Sequence, residues 1–564
     1  MEKIVPNSEY IKYLNTLHNV GARNENAYAE SNQNNPFFHK TIVKRPTGAF
    51  IIDKLTNEEP HIIILTGHAG DGKTSLLLQV LNDLGLLNEQ ELKPFDEIVL
   101  PNGKSCLYIK DFSELSEHER KSKMKDFLEY PVQDKYVILI ANTGPLLNTF
   151  EEILGEDAQI KLLNLIDENS GSIEEICGSK IRTINAAGID NTSFAKPFLE
   201  NIIEDSLWVR CEQCLKVKNC PIKFNQIIVS QNFAKVSDFL TSHYIWQQEH
   251  GKRLTIRQIT AHLSFAITGG LECKKVKNID NGNYLFDFLF TNSIFGYSGF
   301  KVNKDALEIQ AISDIMNNHY DQKRIVADES IFIKQDYSAL PQKLQTLARE
   351  LGIKNHYSTR WQAAVRRMYY LVNIETDDKV NTKLLKDGFS NSYPRYLELR
   401  RGASTNNDDK MLVLDALAMI FIGDTYQSKN SIPLTLKRGS GITQSVQMVH
   451  DVVYSRDIKV KTLYSNKCNF DGERRRSELR MEVCGKEITY PIALPLLNYF
   501  EDIRNGIVTT NIDPQLSHGI DSIKAQILAC CAQSEDGRLE LMVMKTNKWE
   551  TITLYEENNK WKLD

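Results

Sequence analysis

The segment ILTGHAGDGKTSLLLQVL carries Gly67, Gly72, Lys73 and Thr74 in the spacing G-x-x-x-x-G-K-T. In such a loop the glycines let backbone N–H groups turn inward on a β-phosphate. The Lys meets the β/γ charge and the hydroxyl holds Mg²⁺. An apolar strand precedes the loop, and a helix expected over Ser75–Leu84 offers its N-terminal dipole to the anion. The expected phosphate contacts are Gly67, Gly70, Gly72, Lys73, Thr74 and Ser75. The competing reading is a Gly-rich turn that happens to precede Lys-Thr.

A phosphate loop needs an acid at the end of a neighbouring strand for the Mg²⁺ shell. Asp111, closing the run Cys106-Leu-Tyr-Ile-Lys-Asp, is placed for it, together with Thr74. Its alternative role is to cap a helix starting near Ser113. Many ATPases carry a Glu directly after this Asp. Here Phe112 follows, and Glu114 is the nearest Glu, so either Glu114 polarises the attacking water or hydrolysis is slow or depends on a partner. The strand Tyr136–Ala141 ends at Asn142, whose amide fits a polar sensor between γ-phosphate and water. An Asn-Thr-Gly turn is the alternative. Arg257, just after the expected N-cap Thr255, is a lid arginine for the γ-phosphate or a solvated surface residue. Arg366 and Arg367 are candidates for an arginine acting on a neighbouring subunit, or form an exposed basic helix face.

The run WVRCEQCLKVKNCPIKFN holds Cys211, Cys214 and Cys220 as C-x₂-C-x₅-C. Three thiols at this spacing suggest a structural tetrahedral Zn²⁺ knuckle, closed by four protein ligands. Cys273 is the first choice for the fourth, then Cys177, then His243. Three unrelated buried thiols would be the alternative. Basic clusters occur at Arg395, Arg400 and Arg401; at Lys437 and Arg438; and at Arg474, Arg475, Arg476 and Arg480. Tyr393, Tyr396 and Phe470 lie among them, a mixture that suits a nucleic-acid groove. Glu398, Glu473 and Glu478 interrupt it, as on an ordinary solvated surface.

The elements that must position these groups divide the chain. Residues 1–48 read as a polar arm with little core of its own, Asn-rich from Asn24 to Asn35. Residues 49–208 read as an α/β core with a parallel sheet: the apolar runs His61–Thr66, Cys106–Lys110, Tyr136–Ala141 and Lys180–Ala186 alternate with helical stretches. Residues 209–226 form the knuckle, and a helical lid is expected over 227–375. Residues 376–564 read as a mixed or β-rich interaction domain, with strands at Gln447–Tyr454, Ile458–Tyr464, Glu487–Ile492 and Arg538–Met544 and a last hairpin of Glu550–Tyr555 and Lys560–Leu563. The run Tyr284–Gly299 reads as core or a subunit interface.

The whole chain has 564 residues, 41% of them hydrophobic, with a net charge of −5; that excludes a wholly disordered chain and a histone-like coat of positive charge. No run reaches the roughly 18 apolar residues of a membrane span. Met411–Ile422 is short and carries Asp415, and MEKIVPNSEY lacks the apolar region of a signal peptide. The expectation is a cytoplasmic protein whose ten cysteines are thiols or metal ligands.

Taken together, GHAGDGKTS, LYIKDFSEL, IANTGPL, the C-x₂-C-x₅-C-P run, TIRQITAHLSFAITGGLEC and FDFLFTNSIFG resemble the DptF-like P-loop ATPases of bacterial DNA-phosphorothioation-dependent restriction systems. The motifs cover roughly residues 50–300 and, more loosely, the tail. The resemblance implies an AAA/STAND-like P-loop NTPase core that binds ATP and Mg²⁺ and acts beside DptG- and DptH-like subunits against foreign DNA. It carries phosphate binding onto Gly72, Lys73 and Thr74, Mg²⁺ onto Asp111, the sensor onto Asn142 and a structural role onto the cysteines. No nuclease constellation is evident, so cutting would fall to a partner. A nucleotide-controlled switch or scaffold with little hydrolysis is the alternative function. A small-molecule kinase fits poorly, because no acceptor pocket is evident and the lid is far larger than phosphate transfer needs.

Overall fold

The computed structural model describes residues 7–18, 35–86, 92–279, 281–374, 382–423, 431–436, 446–464, 470, 477–483, 485–487, 491–507, 512–531, 538–546, 548–558 and 560–563. Two compact units divide the chain: Met1–Gly388 with Asn466–Arg475, and Phe389–Ser465 with Arg476–Asp564.

The first unit is built on a six-stranded mixed sheet. Its strands are β1 (Ile62–Thr66), β2 (Phe95–Val99), β3 (Ser105–Ile109), β4 (Tyr136–Ile140), β5 (Ile173–Ile176) and β6 (Ser179–Asn185), in the order β2-β3-β4-β1-β6-β5. β1 lies parallel to β4 and β6, with Ile64 opposite Leu139 and Thr183, and β3 runs parallel to β4. Only the edge strands β2 and β5 are antiparallel. β1 and β4 are buried at every position, because helices cover both faces of the sheet. Alternation along the strands splits the apolar residues between two cores. On one face Ile63, Leu65, Ile138 and Ile140 pack with helices α3 (Pro46–Asn57) and α4 (Lys73–Asp83). Opposite them, Ile62, Ile64, Val137 and Leu139 pack with α5 (Glu117–Glu129), α6 (Thr143–Leu154) and α7 (Glu156–Glu168). The loops leaving the carboxyl ends of β1, β3 and β4 therefore lie side by side, where open α/β sheets place their ligands.

A helical layer follows: α8 (Ala195–Ile203), α9 (Asp205–Glu212), α10 (Pro221–Gln231), α11 (Phe233–Glu249), α12 (Ile256–Thr268) and further helices as far as Thr359–Asn373. Tyr284–Gly299 supplies buried core here through Phe286, Leu289, Phe290, Ile294 and Phe295. The amino-terminal segment, expected to have little core of its own, packs on the rest of the first unit. Helix α1 (Ser8–Thr16) buries Tyr10, Ile11, Tyr13 and Leu14. Its Tyr10 hydroxyl donates to the Ile202 carbonyl at 2.7 Å, and the ring meets Trp208 edge-on at 5.6 Å. Two tyrosines and two aliphatic residues on one face are enough to dock a short helix onto α12, α8 and α9. Most of the Asn-rich stretch lies outside the described residues.

A buried histidine makes this layer sensitive to acid. The Ile294 carbonyl only accepts, so His262 Nε2 donates to it at 2.9 Å, while Nδ1 accepts from the Tyr244 hydroxyl at 2.8 Å. Burial pushes the His262 pKa down to about 4, and does the same for His18. Below an ordinary histidine pKa of about 6.5 the unfolded chain takes up protons that the folded chain refuses, so stability falls as pH drops toward 4. Each group accounts for on the order of 3 kcal/mol across that window. The unfolding temperature is expected to hold above neutrality and fall steadily below about pH 6.5; a flat profile across that window would contradict the assignment.

The second unit is mixed. One antiparallel sheet joins Ser431–Leu436, Val446–Tyr454, Arg538–Lys545, Lys548–Glu557 and Lys560–Leu563; a smaller one joins Ile458–Tyr464, Ser477–Val483 and Lys486–Glu487. Helices Tyr393–Arg400, Asn407–Ile422, Leu494–Arg504 and Pro514–Cys531 complete it. Among the described residues, the aromatics that lie among the basic clusters offer no exposed ring for stacking. Tyr393 and Tyr396 are buried, and Phe470 is buried in the first unit, against Phe50. Arg395 is committed to Asp409 and Glu398. Lys437, Arg438, Arg474, Arg475 and Arg476 lie outside the described residues. Among the described residues no helix is long and apolar enough to cross a membrane.

Candidate functional site

Between β1 and α4 the chain turns through three residues that need glycine: Gly67, Gly70 and Gly72 have φ of 141°, 89° and 75°. Room is also short at Gly70, where a Cβ would stand 3.0 Å from Thr255 Oγ1. The turn is clamped from inside and outside. Asp71, 1% exposed, accepts from the His68 N–H at 2.9 Å and from Arg253 Nη1 at 2.8 Å. Arg253 Nη2 donates to the Ala186 carbonyl at 2.9 Å, and Arg45 Nη1 donates to the Asp71 carbonyl at 3.0 Å. Helix α12 begins against the loop: its Arg257 N–H donates to the Gly70 carbonyl at 3.2 Å. Thr255 caps α12 as expected, in a reciprocal box with Gln258.

Lys73 heads α4 and is buried, its Nζ donating to the Gly67 and His68 carbonyls at 2.9 Å and to Asn142 Oδ1 at 3.1 Å. Burial lowers its pKa, while the carboxylates of Asp71 and Asp111 oppose that shift. Asn142 lies between β4 and α6, at the N-cap position of the helix, and its backbone N–H donates to Ser113 Oγ at 2.7 Å. Asp111 leaves the end of β3 and accepts from the Ser113 N–H at 2.9 Å. It thus caps the short 3₁₀ turn Phe112–Glu114 and also faces Lys73 across the loop. The two roles weighed for Asp111 are compatible.

These side chains meet at one cavity of about 330 Å³, lined by Gly70, Gly72, Lys73, Thr74, Ser75, Asp111, Glu114, Asn142 and Arg257. Gly67 shapes the turn behind it. Glu114 is exposed at the rim, and Phe112 is fully buried beneath it. Away from the loop the cavity wall becomes apolar, through Tyr13, Leu17, Phe38, Ile42, Phe194 and Phe198. Neither that wall nor the clamp of Asp71, Arg253 and Arg45 was expected from the sequence. Asp71 sits inside the Gly-rich motif and could have been suspected; no spacing marks the others, which come from segments up to about two hundred residues apart.

Arg366 and Arg367 are neither a trans-acting pair nor an exposed basic face. Arg366 forks onto Asp328 at 2.8 and 3.1 Å. Arg367, 2% exposed, pairs with Asp321 at 2.6 Å, donates to Asn292 Oδ1 at 3.0 Å and lies 3.9 Å over the Tyr297 ring. The buried Asp321 and the partly buried Asp328 capture the two arginines.

Cys211, Cys214, Cys220 and Cys273 line one small cavity of about 20 Å³. Burial raises the Cys211 and Cys220 pKa values, and raises that of Cys273 to about 12, with added repulsion from Cys220, Cys211 and Cys214. Among the described residues, no three or more His, Cys, Asp or Glu side chains are already arranged to hold a metal ion. Cys177 is exposed in the turn between β5 and β6, and His243 is fully buried beside the Tyr320 hydroxyl at 3.0 Å; neither lines this cavity.

Neither a family model, nor a curated protein, nor a solved structure matches this chain.

Proposed function

We propose that this chain is a P-loop NTPase that binds ATP with Mg²⁺ and hydrolyses it, serving as the ATPase subunit of a bacterial antiviral DNA-restriction complex. The observation that carries the nucleotide reading is the meeting of Lys73, Asp111 and Asn142, from the ends of three adjacent parallel strands, under a loop with three glycines at positive φ. The cavity's volume suits a small ligand, and its division into a polar end and an apolar, aromatic wall suits a triphosphate and a base. The restriction role, DNA contact and the DptG- and DptH-like partners rest on the resemblance in sequence.

Thr74 and Asp111 would hold Mg²⁺, which neutralises charge on the phosphate oxygens. Lys73 trades its carbonyl acceptors for phosphate oxygens. The Asn142 amide orients the attacking water, and Glu114 accepts its proton. Arg257 meets the charge developing on the γ-phosphate. Calorimetry with Mg²⁺ and ATP is expected to show one site per chain; no uptake of any adenine or guanine nucleotide would overturn the reading. Asp111→Asn is expected to lower Mg²⁺-dependent turnover about 10- to 100-fold, as loss of a metal-orienting carboxylate does. Turnover equal to wild type across a Mg²⁺ titration would remove Asp111 from the site.

One observation favours a nucleotide-controlled switch with slow hydrolysis: the position after Asp111 is the buried Phe112, and the nearest carboxylate, Glu114, is exposed. Full assembly and activity with a non-hydrolysable ATP analogue would select that reading; a requirement for hydrolysable ATP would select the hydrolysing one.

A further inference from the structure

The four thiols of the small cavity come from three separate stretches of backbone. Cys211 sits in the last turn of α9, and the Cys214 N–H donates back to its carbonyl at 3.0 Å, the tight reverse turn that two ligands on an x₂ spacing require. Cys220 directly precedes Pro221 at the start of α10. Cys273 opens the 3₁₀ turn Cys273–Lys275 after α12, more than fifty residues on in the sequence. The connecting loop has little apolar material to pack: Leu215 is 85% exposed, and Lys216, Lys218 and Asn219 fill much of the rest. A loop of this composition closes stably when something other than a hydrophobic core ties it.

From this convergence we infer that Cys211, Cys214, Cys220 and Cys273 bind one Zn²⁺ as a structural tetrathiolate centre. The cavity admits a single ion or water. Four thiolates around Zn²⁺ make a doubly negative centre, and Lys216 and Lys223 stand on the cavity wall to offset it. Asn7 Nδ2 donates to Cys211 Sγ at 3.4 Å, an outer hydrogen bond of the kind that orients metal ligands. Each cysteine has one side-chain torsion with three wells, so rotation about Cα–Cβ is the freedom by which the sulfurs would close on the ion. With four protein ligands the centre has no open position, and its role is to tie α9 and α10 to the end of α12. The inference does not depend on nucleotide binding.

The test is metal analysis of the full chain, produced with zinc in the medium and desalted. The wild type and Cys177→Ser are expected to carry about one Zn²⁺ per chain, and Cys273→Ser to lose it. Should Cys273→Ser fail to fold, the folded wild type decides. Titration with an organomercurial should release zinc in step with the blocking of four thiols, and Co²⁺ exchanged into the site should show thiolate-to-cobalt charge-transfer absorption. Full zinc in folded Cys273→Ser, or wild-type protein that neither carries zinc nor takes up cobalt, overturns the inference.

Discussion

Lys73→Ala is expected to abolish ATP binding and turnover, with a loss of at least about 100-fold in kcat/KM, the scale of removing a preorganised charge-stabilising donor. The substitution should spare the fold. Of the acceptors that Lys73 now satisfies, the Asn142 side chain belongs to a residue lining a cavity that water can enter, and the Gly67 and His68 carbonyls lie on the glycine turn beside it. Burial of the ammonium, which lowers its pKa, is itself unfavourable in the nucleotide-free protein, so its removal carries little net stability cost. The informative pair of measurements is therefore calorimetry with Mg²⁺ and ATP beside a thermal melt. Lost binding with an unchanged melt is the expected result. Hydrolysis by the pure variant at the wild-type rate would show that the cavity around Lys73 is not the site of turnover.

Arg367→Ala should instead act on stability, by about 3–5 kcal/mol, because it leaves Asp321 as an uncompensated buried charge and Asn292 without its donor. Urea unfolding of the full chain measures this. An arginine that reaches into a neighbouring subunit's site would behave oppositely, losing turnover while the isolated chain stays as stable as before. The double variant Arg367→Met with Asp321→Leu replaces the pair by apolar groups of similar bulk, and is expected to recover much of the loss. If Arg367→Ala unfolds at the same urea concentration as wild type, the pair is not buried as described.

How far the sequence could be read depended on the range over which each feature is decided. The central strands stood within a residue or two of the runs His61–Thr66, Cys106–Lys110, Tyr136–Ala141 and Lys180–Ala186, most clearly for β1 and β4, since a strand covered on both faces reads as a near-continuous apolar run. The edge strands Phe95–Val99 and Ile173–Ile176 escaped notice. They are partly solvated, and their Asp and Glu residues look like loop. Helix α1 escaped for a related reason. Its four buried residues are few among polar neighbours, and only the surface they dock against gives them meaning.

The candidate site divides along the same line. The motif spacing alone marked the glycine turn and Lys73, and Asp111 and Asn142 stood out because they follow strands, whose ends are visible as the close of an apolar run. Thr255 as a helix cap was equally local. Packing alone brought Asp71, Arg253 and Arg45 together and placed aromatic side chains of α1 and α8 on the cavity wall. It also buried Arg367 and the tail tyrosines, and set Cys273, rather than Cys177 or His243, beside the other three thiols. Backbone propensity and hydrophobic period act over a few neighbouring residues, whereas the partner of a buried charge or a thiol is whatever the packed helices carry to it from elsewhere in the chain.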